Sequence, residues 1–91
     1  MLVVIKSAPD TREARRAVKL ARDTAADILL IQNAVYLAGK ERLEGFCGTA
    51  YVLDEDMRLR GVSDIEKAVK TVGYGQAVDL MAEEDKVIGV F

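Results

Sequence analysis

The sequence predicts an α/β fold: a three-layer sandwich with a mainly parallel sheet of four to five strands between helices. Three observations predict it. Short unbroken aliphatic runs, Leu2-Val3-Val4-Ile5 and Asp27-Ile28-Leu29-Leu30-Ile31, read as strands buried on both faces. Amphipathic segments separate them, which implies crossover helices and parallel strands. A chain of 91 residues with 51% hydrophobic content fits one domain, residues 1–91, with a packed core.

The elements follow in order. After the first run, Ser7-Ala8-Pro9-Asp10 breaks the strand. Asp10, with Glu13 three residues on, predicts a helix start with Asp10 as N-cap. Ala14, Val18, Ala21 and Ala25 repeat at helical spacing and predict the inward face. Arg12, Arg15, Arg16, Lys19 and Arg22 occupy the other faces, and with Glu13 and Asp23 among them they read as a solvated surface. The second run ends in Gln32-Asn33, where Asn33 is expected to cap a short helix over 34–38. A polar, glycine-bearing connection over 39–48 precedes a third strand over 49–53. Asp54-Glu55-Asp56 start a short helix, where the dipole favours acids. Gly61 suits its end. A weaker fourth strand is expected over 68–72. Gly73-Tyr74-Gly75 then turns the chain into a helix over 76–83, with Ala77, Val78, Leu80 and Met81 inward. A fifth strand is expected over 87–91.

Composition excludes several function classes. The chain has no histidine, which removes Ser-His-Asp and Cys-His catalysis and His-ligated metals. Its one cysteine, Cys47, permits no intrachain disulfide and no cysteine-based zinc site. The net charge of -2 argues against a dedicated nucleic-acid binder. The start lacks the basic region of a signal peptide, and no apolar run approaches the ~20 residues that span a bilayer. A cytoplasmic protein without membrane contact is expected. No cofactor and no metal are expected: neighbouring acids such as Asp54, Glu55 and Asp56 point in different directions and read as a helix start.

Three fragments resemble one known family. LLIQNAV (29–35) resembles the L-L-x-Q-[DN]-G-V signature of the DsrH/TusB proteins. YVLDEDMRLRGV (51–62) is similar to their Y-A-L-x-x-D-x-x-A-R-G pattern, and VGYGQAVDLM (72–81) to their [ID]-Y-x-x-F-V-x-L stretch. The resemblance implies a DsrE/F/H-like fold and a part in sulfur relay. TusB-like subunits join DsrE/TusD-like and DsrF/TusC-like homologues in a cytoplasmic complex that relays persulfide sulfur toward tRNA wobble 2-thiouridine. Dsr homologues serve dissimilatory sulfur metabolism, and single-gene relatives act as homo-oligomers. Contact with tRNA is at most indirect. Two departures stand out. Ala34 replaces the signature glycine, which costs strain if that position has a positive φ. Leu53 stands eight residues before Gly61, where the sulfur-carrying DsrE/TusD members have their reactive cysteine. Members of the DsrH/TusB branch also lack cysteine there.

Several residues are candidates for function. Cys47 is the one side chain able to carry sulfane sulfur. Lys40 and Arg42 lie near it in sequence, yet its place between Phe46 and Gly48 also suits a small buried hydrophobe. Gln32 and Asn33 follow an inner strand at the edge where α/β sheets bind ligands. Asp56 and Arg60, four apart, form an intrahelical pair. Together these four make the candidate ligand or partner pocket. Tyr36, Phe46 and Tyr51 are candidate interface anchors. The leading expectation is a non-catalytic or auxiliary relay subunit that is not an enzyme by itself. The alternatives are a stand-alone sulfurtransferase using Cys47 and a homo-oligomeric module binding a small ligand near Gln32 and Asn33.

Overall fold

The aliphatic runs form the strands expected of them: β1 (Leu2–Ile5), β2 (Asp27–Leu30), β3 (Ala50–Leu53), β4 (Lys70–Val72) and β5 (Val87–Ile88). The structure is a computed structural model and describes residues 1–38, 48–62, 65 and 68–89. The strands lie in the order β4-β3-β2-β1-β5, with each adjacent pair parallel. The helices are α1 (Arg12–Thr24), a 3-10 helix (Gln32–Ala38), α2 (Asp54–Leu59) and α3 (Tyr74–Glu83). No described helix is long and apolar enough to cross a membrane.

Alternation along the strands sorts the core into two layers. Val3, Ile5, Ile28, Leu30 and Val52 face one side. There they meet Ala14, Ala17, Val18 and Ala21 of α1, Val35 of the 3-10 helix and Met57 of α2. Leu2, Val4, Leu29, Leu53 and Val72 face the other side, where Ala77 of α3 joins them and Leu80 packs partly buried. Helices therefore cover both faces, unequally. The first face has α1, the 3-10 helix and α2; the second has α3.

The element boundaries correct several expectations. Thr11, not Asp10, caps α1: its Oγ1 accepts the Ala14 N–H at 3.2 Å and donates to the Ala8 carbonyl at 2.7 Å. Ala25 does not share the inward face. It ends α1 in the left-handed conformation (φ 53°), its N–H reaching back to the Ala21 and Arg22 carbonyls, and it is exposed. Ala17 takes its place in the core. Helix α3 starts at Tyr74, two residues early, because Gln76 Oε1 accepts the Gly73 N–H at 3.1 Å and holds the first turn. Val78 and Met81 are not inward; both are exposed. The expectation over 90–91 lies outside the described residues.

Candidate functional site

The site begins where β2 ends. Ile31 N–H still donates to the Ile5 carbonyl at 3.0 Å, continuing the sheet by one residue. Gln32 then turns into the left-handed region at φ 50°. A residue with a Cβ costs about 1–2 kcal/mol there. The turn is held from outside: the Gln32 N–H donates to Asp56 Oδ2 at 2.7 Å. Asp56 is 8% exposed and is the buried charged residue of the described set.

Its charge is met by position and by partners. Asp56 sits in the first turn of α2 with Asp54 and Glu55, where the helix dipole favours carboxylates. Arg60 Nη1 approaches Asp56 Oδ1 at 3.5 Å, and Arg60 Nε donates to Asn33 Oδ1 at 3.0 Å. Gly61, at φ 66°, reverses the chain behind Arg60, and the Val62 N–H returns to the Met57 carbonyl at 2.9 Å. Gln32, Asn33, Asp56 and Arg60 are thus one connected polar network. The structure brings these four candidates together as a hydrogen-bonded network, of which Gln32 and Asp56 line the neighbouring cleft, and the Asn33 side-chain oxygen binds Arg60 where the sequence predicted a helix cap. The 3-10 helix opens instead with the Ala34 N–H on the Ile31 carbonyl. The positive φ falls at Gln32, two residues before Ala34, so the missing glycine at 34 carries no such strain.

Next to this network lies a cleft of about 360 Å³ under α3. Val4, Leu29 and Leu53 form its sheet floor; Tyr74, Val78 and Met81 form its helix wall; Gln32 and Asp56 close one end. Tyr74, Val78 and Met81 follow 4-3 spacing, which puts them along one flank of α3. Among the described residues the lining contains no lysine or arginine. Such a cavity, largely apolar with a few polar groups at strand carboxyl ends, has the makeup of a binding cleft. Leu53, where the resemblance aligns the sulfur-carrying cysteine, is the last residue of β3 and is buried in that floor.

Other candidates fall elsewhere. Tyr36 is half-exposed on the 3-10 helix, against the first face, while Tyr51 is part-buried on the second face with Leu80. The two rings therefore do not share one surface. Phe46 and Cys47 lie outside the described residues. Among the described residues no group of His, Cys, Asp or Glu could hold a metal ion. Asp54 pairs instead with Arg58 at 2.8 Å. Arg15, Lys19 and Arg22 border a separate depression of about 300 Å³ on α1, and Lys19 pairs with Asp23 at 2.7 Å. The sequence reads Glu55 as part of the acidic helix start and gives no sign that its Oε2 is buried without a hydrogen-bond partner among the described residues. It also missed the cleft wall, because helical periodicity marks an apolar flank without saying what covers it.

Comparison with known proteins supplies the family. The fold matches the crystal structure of the YchN protein from E. coli, with a TM-score of 0.80 at 16% identity, covering 99% of this chain and 97% of that one. It also matches the solution structure of protein Tm0979 from Thermotoga maritima, with a TM-score of 0.69 at 29% identity, over 98% of this chain and 100% of that one. No curated protein gives a significant match. The family model described as "DsrH like protein" matches residues 6–87, nearly the whole length. With the strand-end network and the alternating parallel sheet already in place, that match means the chain belongs to the DsrH-like family.

Proposed function

We propose that this chain is a non-catalytic, auxiliary subunit of a cytoplasmic sulfur-relay assembly, built with DsrE/TusD-like and DsrF/TusC-like homologues or with further copies of itself. Family membership makes it a sulfur-relay-related protein; the finer role rests on Leu53. Relay of sulfane sulfur requires a thiolate to attack the outer sulfur of a persulfide while the donor thiolate leaves. Leucine at the floor of the cleft offers neither nucleophile nor leaving group.

The cleft then serves recognition. Its polar end is organised by Asp56, which holds Gln32 in a strained turn, and backbone strain of this kind collects at binding sites. Its wall presents apolar side chains to whatever docks there. The apolar wall of Tyr74, Val78 and Met81 favours an apolar element of a neighbouring subunit as the occupant. In this account the tRNA or other sulfur acceptor meets a partner, not this chain.

Reconstitution tests the role. Persulfide transfer by the DsrE- and DsrF-like homologues of the same genome is measured with and without this chain. The expected result is transfer that depends on the chain although the chain takes up no sulfur itself. Transfer at full rate without it would remove the auxiliary role.

A further inference from the structure

Helix α3 links β4 to β5, and these two strands lie at opposite edges of the sheet, with β3, β2 and β1 between them. Four strand spacings amount to about 19 Å, and ten helical residues to about 15 Å. So α3 crosses the second face from edge to edge as a strap. Its two moorings are slight. β4 has three residues, of which Val72 is buried, and β5 has two, neither of them buried.

The strap also rests lightly on what it crosses. Ala77, with a side chain of one methyl group, is its buried residue. Leu80 joins the core partly buried. Open space borders both flanks: the cleft beside Tyr74, Val78 and Met81, and a second depression of about 280 Å³ beside Gln76, Asp79 and Glu83. Among the described residues, the one side-chain hydrogen bond from α3 is that of Gln76 to the Gly73 N–H, inside its own first turn. Just past its end, Glu84 meets the Met1 amino group at 3.2 Å, a partly exposed ion pair of the kind that contributes little. By contrast, α1 sets Ala14, Ala17, Val18 and Ala21 into the first face.

We propose that α3 lifts from the sheet as one unit while β1, β2, β3 and α1 stay folded, and that this motion sets the depth of the cleft. Elements with few buried apolar contacts are the ones that open separately from the rest of a fold. The core of the first face contains no buried side chain of α3 among the described residues, so it survives the motion intact. Lifting uncovers Val4, Leu29 and Leu53 and admits an occupant bulkier than a cavity of about 360 Å³. The motion does not depend on what that occupant is.

Native-state hydrogen exchange of the full chain, followed by NMR across low urea, tests this. Amides of residues 78–83 are expected to be protected at least about 30-fold less than those of β1 and β2. They should share one urea dependence, shallower than that of the strands, because a lifted unit exposes a common and limited surface. Ile28→Val, a conservative change on the first face, separates the two openings. It should speed exchange in β1 and β2 about 2- to 10-fold. Exchange in α3 should not change, because the lifted state keeps the packing of Ile28. Equal protection in α3 and the strands would overturn the proposal. So would α3 amides that exchange one by one without urea dependence, as at a fraying end, or an Ile28→Val effect in α3 as large as in the strands. Persulfide transfer by the reconstituted assembly is a separate readout, so the auxiliary role is judged apart from this motion.

Discussion

The two faces of the sheet are built differently from the same kind of residue. On the first face, α1 buries Ala14, Ala17, Val18 and Ala21 against Val3, Ile5, Ile28 and Leu30, and the 3-10 helix adds Ala34, Val35, Leu37 and Ala38. On the second face, α3 fully buries Ala77 alone of its ten residues, while Val78 and Met81 stay exposed beside a cleft. The first face spends its apolar side chains on folding. The second keeps several of them outside the core, and exposed apolar surface of that kind is characteristic of docking sites. In the proposed reading, stability and recognition fall on opposite sides of one sheet.

Substitutions on the two faces should separate these roles. The largest effect is expected on the closed face. Ile28 is fully buried, and Ile28→Ala should cost about 2–5 kcal/mol in urea unfolding. On the open face, Met81→Ala should cost less than about 1 kcal/mol at concentrations where the chain is a single species. If both cost the same, the contrast between the faces is wrong.

The junction of the two faces comes next. Asp56→Ala removes the acceptor of the Gln32 N–H and leaves Arg60 with Asn33 among the described residues. A destabilisation of about 1–3 kcal/mol is expected, with faster amide exchange at Gln32 as the local sign. A loss confined to Arg60 mobility, with Gln32 exchange unchanged, would mean that Asp56 does not hold the turn.

The smallest expected effect sharpens the claim of strain. Gln32→Gly places a residue that tolerates φ 50° in the turn, offsetting the added freedom of the unfolded chain. Stability should change by no more than about 1 kcal/mol, in either direction. Binding at the cleft should nevertheless fall, because the amide that closes its polar end is gone. Equal binding by the glycine variant would show that the side chain has no part in recognition.

How much of this was legible in the sequence follows the same division between faces. The buried strands could be read from Leu2 to Ile5 and from Ile28 to Leu30, because a run buried on both faces has no polar alternation to confuse it. Gln32, Asn33, Asp56 and Arg60 could be grouped because the carboxyl ends of inner strands attract functional residues and the i,i+4 spacing joins Asp56 to Arg60. Hydrogen bonding hid the rest. Thr11 and Asp10 are both good caps, and only the reach of Thr11 Oγ1 to both Ala8 and Ala14 decides between them. Ala25 continues the apolar period of α1 but lies at its reversal. Val78 and Met81 look like core residues because an apolar flank has the same period whether its cover comes from its own chain or from another.

The central claim is that this chain supports sulfur transfer without carrying sulfur. Cys47 is its only cysteine, so one substitution tests the claim directly. Cys47→Ser is compared with wild type in the assembled complex, with transfer rate and persulfide mass measured on each chain. The account predicts that the variant retains most of the transfer rate and that persulfide appears on the partner's cysteine. Persulfide accumulating on Cys47 of the wild type, together with loss of transfer in the variant, would contradict it.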